Sequence, residues 1–485
     1  MRGGPTLDPP DWDEFRRIGH ALVDEASHWL ETVRERAVWQ RPPAEVRERL
    51  SAGLPETGIG LEAALEAFRR DIFPYPLGNV HPRFWGWVVG SGDPVGILAD
   101  FLASTMNPNV FAGDHAATLV EAQVLDWSRA LIGLPPGGSG ILTSGCAVAN
   151  LIGLIIARHV RCPVDWAGDG LAGAGALPIL YCSEETHNSI DKAARVMGLG
   201  ANSLRRLPAV HYRLDVAALA EAVRQDVDRG RRPFCVVANV GTVNTGALDP
   251  IGEIADFCAE HGLWLHVDGA FGALAMLAGE YRASLAPLAR ADSVAFDYHK
   301  WMYAPYGVAC LLTRHETAHV EAFRVEAAYL ATDSRGVLSG RTGFGALGIE
   351  LGRDFRALKI WLALKAHGRE TFASLIEENI AQARHLARLV EAEAGLELVA
   401  PVSLNIVCFR AISPHLSPAS LDDLNREIML RLQESGVAIL SSTRLGERFV
   451  LRAAITNHRS RREDFDLLVR EILSHRAALL DGTAA

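Results

Sequence analysis

The chain has 485 residues, 49% hydrophobic and 22% charged, with a formal net charge of −10. That length exceeds one simple core and predicts two or three units sharing a large interface, while the composition is globular with no disordered low-complexity block. The negative balance argues against non-specific binding to nucleic acid or to an anionic membrane surface.

The chain opens with MRGGPTLDPPDWDEF, which lacks the apolar stretch of a signal peptide. Over residues 11–38 the pattern is helical. Phe15, Ile18, Leu22, Trp29, Leu30 and Val33 fall near one face, with arginine and glutamate between them. Residues 44–50 and 61–68 continue helically. Segment 1–80 is too short and polar to be a domain alone. It reads as a helical arm that packs on something else, a second subunit, and so predicts a homodimer. From about residue 81 the texture changes. Helical stretches at 97–104, 118–132 and 147–158 precede or alternate with short apolar runs: PILYCS (178–183), PFCVVANVGT (233–242), LWLHVDG (263–269), SVAFDY (293–298) and VACLLTR (308–314). Continuous apolar runs separated by helices predict a mostly parallel sheet buried on both faces, in a large α/β domain over 81–365. The glycine- and alanine-rich stretch 167–178 reads as an exposed loop. After Phe355 come a long helical stretch, a strand-like run at 402–411, a helix at 421–435 and a second run at 448–457. These predict a small α+β domain over 366–485. The seven cysteines, Cys146, Cys162, Cys182, Cys235, Cys258, Cys310 and Cys408, are scattered without a CxxC pair. That is the usage of a reduced intracellular protein, with neither a disulfide scaffold nor a metal site. No apolar run reaches membrane-spanning length, and a cytoplasmic protein is the expectation.

Ligands of open α/β sheets bind beyond the carboxyl ends of the strands. There the sequence places His187 after PILYCS, Gly241 and Thr242 after PFCVVANV, Asp268 at the end of LWLHV, and His299 with Lys300 after SVAFDY. A buried lysine needs a partner or a chemical use for its amine. A deprotonated lysine amine attacks carbonyls, and burial is expected to lower its pKa. A Schiff-base lysine with an aspartate facing a pyridinium nitrogen is the recurring arrangement for pyridoxal phosphate. A phosphate cradle is available in TSGCAVANLIGLIIAR (143–158), where the small residues Ser144, Gly145, Cys146 and Ala147 lead into a helix N-terminus. Cys146 is either reactive there or simply small.

The set HPRFW (81–85), SGCAVANL (144–151), THNSIDKA (186–193), HVDGAFGA (266–273), FDYHKW (296–301) and FRVEAAYL (323–330) resembles the group II pyridoxal-phosphate-dependent amino-acid decarboxylases. That family includes aromatic-L-amino-acid, glutamate and diaminobutyrate decarboxylases. The likeness runs from residue 11 to the 470s. HVDGAFGA and HKW, with Lys300 32 residues after Asp268, are its most specific part. The resemblance implies the aspartate-aminotransferase-like, fold type I architecture, a homodimer with its active site at the subunit interface, and decarboxylation of an L-amino acid to its amine. It also implies roles. Lys300 forms the cofactor imine, Asp268 pairs with the pyridine nitrogen, and His187 stacks on the ring and orients the substrate carboxylate. Ala270 packs on the other face and Thr242 lies near the ring substituents. Gly145, Cys146, Ala147 and His299 surround the phosphate. Tyr329, on a mobile loop, protonates the α-carbon; the stretch 330–345 that follows it is rich in Gly, Ser and Thr and reads as a lid. Two departures stand out. Ala147 and Val148 replace residues that are often Ser or Thr and Glu in the family, and Asp297 stands where some members have asparagine. For the substrate, Trp85, Trp87 and Val88 form either a pocket wall or core packing. Asn107 and Asn109 either reach a neighbouring subunit's pocket or make turns around Pro108. Tryptophans favour an aromatic or bulky side chain, the asparagines something polar, and only Arg83 and Arg341 are candidates to clamp a distal carboxylate. The near alternatives are an aldehyde synthase, which a phenylalanine in place of Tyr329 would favour, and a decarboxylase of an acidic or diamino acid. Aminotransfer and a non-catalytic scaffold fit the motifs less well.

Overall fold

The computed structural model describes residues 6–324, 335–339 and 343–482. Seven short strands form the central sheet among these residues: β1 (Ser139–Thr143), β2 (Pro178–Ser183), β3 (Leu204–Leu207), β4 (Arg232–Asn239), β5 (Trp264–Asp268), β6 (Ser293–Asp297) and β7 (Ala309–Thr313). Their spatial order is β1-β7-β6-β5-β4-β2-β3. β7 is antiparallel to both neighbours and the remaining pairs are parallel, which is the mostly parallel sheet the apolar runs predict. The five runs singled out in the sequence all lie in this sheet. Sequence reasoning did not name β1, hidden against the helix junction that follows it, or β3, an edge strand reading LRRL whose Arg205 pairs with Asp226.

Period-two alternation decides what each strand offers to each face. In β5, Leu265 and Val267 enter the core on one side, while Trp264 enters the core on the other. His266 and Asp268 follow Trp264 at intervals of two and share its face. In β6, Val294 and Phe296 go to the first side and Ala295 to the second, so Ser293 and Asp297 share the second side too. Helix Cys146–Arg161 crosses β4 to β7 on that second side. It is rich in alanine, leucine and isoleucine and buries Ala149, Ile152, Ile156 and Ala157. The fold therefore lays one helix over the polar residues of β5 and β6.

The C-terminal sheet runs Phe84–Trp85, Ile439–Leu445, Arg448–Ala454, Ile406–Ala411, Leu396–Leu398. Phe84 and Trp85 pair in parallel with Ile439 and Leu440. Trp85 is fully buried, stacks on Phe465 at 4.6 Å and donates its indole N–H to Ser460 Oγ at 3.1 Å. Of the two readings of Trp85, core packing is the one realised. Helix Ala357–Ala392 links the two sheets and breaks at Gly368, whose φ of 74° and ψ of 161° suit glycine. At the other end, helices Trp12–Glu31, Ala44–Leu50 and Leu61–Asp71 form the arm. The first helix buries only Ile18 and leaves Trp12, Phe15 and Val23 exposed. Among the described residues no helix is long and apolar enough to cross a membrane.

Candidate active site

Lys300 lies on the single helical turn Tyr298–Trp301 that leaves β6. Its Nζ is 2.7 Å from Asp297 Oδ2, and its side chain is 22% exposed. Burial by itself lowers the amine pKa, as the sequence argument expects. The Asp297 carboxylate opposes this and prevails, so the pKa is raised. The expectation of a lowered pKa is thus corrected: in this state the amine is an ion-paired ammonium. Asp297 is itself buried, and its Oδ1 accepts the Cys146 amide at 2.7 Å. A carboxylate therefore sits at the N-terminus of helix Cys146–Arg161, where the helix offers unpaired amides and the positive end of its dipole.

His299 follows Asp297 at the same corner. Its Nδ1–H donates to Val308 O at 3.0 Å, its Nε2 is 3.6 Å from Asp297 Oδ1, and its ring stacks on Tyr306 at 4.5 Å. Burial lowers its pKa, with Asp297 opposing, and the ring is neutral. The backbone here is closely approached from the HPRFWGWVVG segment. A Cβ on Gly90 would lie 2.1 Å from His299 O and 2.6 Å from Lys300 O, so only glycine passes.

Asp268 ends β5 and is 5% exposed. Its Oδ1 accepts the Ala270 amide at 3.1 Å and its Oδ2 accepts Asn150 Nδ2 at 2.9 Å. Ala270 is half-buried beside it, and its carbonyl receives the Asp297 amide at 2.9 Å. His187 stands just before helix Ser189–Val196. The Ser189 amide donates to its Nδ1 at 3.1 Å, which leaves the ring proton on Nε2. Although His187 is exposed, desolvation lowers its pKa, and the charges of Asp268, Lys300 and Asp297 all reach it. Amine, carboxylates and imidazole thus converge from the carboxyl ends of β6, β5 and β2.

The other sequence candidates sort as follows. Gly145 caps helix Cys146–Arg161, and a Cβ there would only touch the His299 ring. Ala147 is exposed in the helix's first turn. Cys146 is buried and its thiol pKa is raised by burial and by Asp268 and Asp297, so it is not an activated thiolate. Thr242 is fully buried in the turn after β4. Its hydroxyl accepts the Ala247 amide at 3.0 Å and meets Thr245 Oγ1 at 3.2 Å. Trp87 is exposed, with a φ of 54°. The guanidinium of Arg452 holds its carbonyl at 3.0 Å. Val88 is half-buried against the main core. Asn107 caps helix Pro94–Met106 in the left-handed conformation, and Asn109 Oδ1 accepts the Arg353 amide at 2.9 Å. Both asparagines thus make the turns around Pro108. Arg83 is committed to Val437 O at 2.7 Å. Tyr329 and Arg341, and half of the lid stretch, lie outside the described residues.

Sequence reasoning missed Gly90, Asn150, His266 and Tyr306. Two of these had a signal. His266 is two residues before Asp268 and so shares its strand face, and Asn150 is one helical turn after Cys146. The residues present fit pyridoxal phosphate. The amine, the buried carboxylate and the neutral imidazole match its aldehyde, ring nitrogen and ring face, and the Cys146 amide already holds an anionic oxygen.

Comparison with known proteins agrees. The conserved domain of the pyridoxal-dependent decarboxylases matches residues 43–412. An aromatic-L-amino-acid decarboxylase of Bacillus atrophaeus is 33% identical over 93% of each chain. A phenylacetaldehyde synthase of Arabidopsis thaliana is 29% identical over 93% of this chain and 94% of its own. The crystal structure of Oryza sativa TDC with PLP and tryptamine superposes with a TM-score of 0.90 at 27% identity, covering 98% of this chain and all of that one.

Proposed function

This chain belongs to the pyridoxal-dependent decarboxylase family, and we propose that the residues gathered at the ends of β5 and β6 make it a decarboxylase of aromatic L-amino acids. It is a fold type I enzyme that uses pyridoxal phosphate to convert an L-amino acid to its amine and carbon dioxide. The convergence of Lys300, Asp268 and His187 carries the residue assignment.

When bound, the cofactor supplies an electron sink for the pair left behind as the bond from the α-carbon to its carboxylate breaks. The protein's part is orientation and proton management. Lys300 supplies the amine that holds the cofactor, and Asp297 Oδ2, 2.7 Å away, stands ready to hold its proton. Asp268 keeps a proton on the ring nitrogen. His187 would lie against the ring, with its Nε2–H orienting the substrate carboxylate; Ala270 would pack on the opposite face and Thr242 would lie near the ring substituents. Gly145, Cys146, Ala147 and His299 would hold the phosphate, and the Cys146 amide, given to Asp297 Oδ1 at 2.7 Å, would be one of its donors. Tyr329 returns a proton to the α-carbon.

An aromatic side chain is favoured by Trp87, exposed and held by Arg452, and by the names of the relatives at about a third identity. Val88 adds apolar surface beside Trp87. Arg83, one of the two arginines that could clamp an acidic side chain, is already committed to a backbone carbonyl, which counts against an acidic substrate. Asn107 and Asn109, both exposed, shape the loop around Pro108 that would face a neighbouring subunit's pocket. The same reading carries a cytoplasmic homodimer with the active site at the subunit interface. It also divides the chain into an arm (1–80), a cofactor-binding domain (81–365) and a C-terminal domain (366–485). The Gly368 break supports the last boundary, and Phe84–Trp85 reaches across it.

Mass spectrometry of products tests this directly. Holoenzyme is incubated in air with pooled L-amino acids, and amines and aldehydes are scored together. Tryptamine, tyramine or phenethylamine without the matching aldehyde is expected. An aldehyde as main product would move the enzyme to the oxidative branch, and an amine from glutamate or a diamino acid would overturn the aromatic assignment.

A further inference from the structure

Behind Asp268 lies a buried chain of hydrogen bonds that the reaction as described does not use. Asn150 Nδ2 donates to Asp268 Oδ2 at 2.9 Å and also contacts Ser189 Oγ at 3.2 Å. Asn150 Oδ1 meets His266 Nε2 at 2.9 Å, and His266 Nδ1 meets Ser293 Oγ at 2.8 Å. Ser293 Oγ in turn accepts the Trp264 indole N–H at 2.9 Å. Cys146 Sγ stands alongside, 3.7 Å from Asp268 Oδ1 and 3.8 Å from Asn150 Oδ1. Trp264, His266, Ser293 and Asn150 are each no more than 1% exposed.

The direction of every bond follows from the two ends. An indole N–H only donates and a carboxylate only accepts. Asn150 must turn its amide nitrogen to Asp268, so its oxygen faces His266, whose Nε2 then carries the ring proton. His266 Nδ1 is left bare and takes the hydroxyl proton of Ser293, whose oxygen takes the indole proton. The chain is satisfied with His266 neutral, and burial lowers the His266 pKa to about 4, so it stays neutral at working pH. Helix Cys146–Arg161 makes room for this ring. A Cβ on Gly153 would lie 2.7 Å from His266 Cε1 and 2.8 Å from Nδ1. Glycine is disfavoured relative to alanine in mid-helix, and here it admits the imidazole.

We propose that Asn150 and His266 are positioning residues for the cofactor ring. The chain from Trp264 through Ser293 and His266 to Asn150 locks the Asp268 carboxylate in one orientation, so that its remaining lone pairs meet the protonated ring nitrogen. The inference rests on the reading of Asp268 as the ring-nitrogen partner. Asp268 Oδ2 accepts one protein hydrogen bond, from Asn150, and keeps a lone pair for that donor, while Oδ1 accepts the Ala270 amide and, weakly, the Cys146 thiol. A charge-assisted bond of this kind is sensitive to orientation, and loss of its support reaches the ligand.

Enzyme stripped of cofactor is titrated, by quenching of tryptophan fluorescence, with pyridoxal phosphate and with the analogue whose ring nitrogen is replaced by C–H. Melting temperature is followed alongside. Wild type prefers pyridoxal phosphate, and Asp268→Ala removes the preference. Asn150→Ala is expected to weaken pyridoxal phosphate about tenfold or more, the scale of a hydrogen bond to a charged group, while leaving the analogue unchanged. His266→Gln, whose amide can still donate to Asn150, restores part of the preference lost in His266→Phe. Ser293→Ala, farther from the site, provides the same reading if Asn150→Ala does not fold. Equal weakening of both ligands in the Asn150 and Ser293 variants, or no change in either, overturns the inference while Asp268→Ala still removes the preference. If Asp268→Ala keeps the preference, the ring-nitrogen reading itself falls and takes the inference with it.

Discussion

Lys300 and Asp297 illustrate how one ion pair sets the resting state of a reactive group. The amine is half-buried, and desolvation favours its neutral form, but a carboxylate at 2.7 Å outweighs that cost. Asp268 adds a smaller pull in the same direction. The raised pKa means the ammonium dominates through neutral pH, and proton loss limits attack on an aldehyde. Asp297→Asn removes the largest raising influence while an amide oxygen can still receive the Cys146 N–H. The pH at which cofactor capture reaches half its maximal rate, followed by the rise of the visible absorbance band, should move down in this variant. An unchanged profile would mean that Asp297 does not govern the amine.

At the scale of elements, helix Cys146–Arg161 does three things at once. Its first amide holds an anion, its second turn supplies Asn150 to Asp268, and its middle is hollowed at Gly153 for His266. Helix propensity alone predicts that Gly153→Ala stabilises the protein by about 1 kcal/mol. Packing predicts the reverse, since overfilling a core costs about 1–3 kcal/mol, and His266 is held on both nitrogens. The expected outcome is a lower melting temperature for Gly153→Ala. A higher one would show that the imidazole gives way freely. The strands contribute by alternation: a one-residue slip of β5 would turn Trp264, His266 and Asp268 away from this helix together.

At the scale of the whole molecule, two groups of exposed apolar residues lie on helices. Helix Pro94–Met106 leaves Ile97, Leu98, Phe101, Leu102 and Met106 exposed, with Phe101 at 69%, and the arm helix leaves Trp12, Phe15 and Val23 exposed. Clustered apolar surface of this kind marks an interface. Sedimentation velocity should give a dimer, and Phe101→Glu should shift it toward monomer with loss of activity. A wild-type monomer with full turnover would contradict the interface.

The residues lining the strand ends were legible because each is set by local rules. Short apolar runs make strands, small residues followed by a helical pattern make an anion-binding turn, and polar residues at strand ends face the ligand side of an α/β sheet. His187, Asp268, His299 and Lys300 could therefore be picked out in order along the chain. Trp85 could not be assigned, because its neighbours Ser460 and Phe465 are brought to it only by pairing with the C-terminal sheet. The charge on Lys300 was misjudged because it depends on the conformation Asp297 adopts across one helical turn. The buried chain behind Asp268 was not legible either. Its bonds join residues 116 and 27 positions apart, and nothing short of the packing of one helix on two strands brings an asparagine, a histidine and a serine into line. Local pattern determined which residues reach the site. Only the tertiary structure decided which of them hold one another, because hydrogen-bond partners and the charges they stabilise are set by distances across elements.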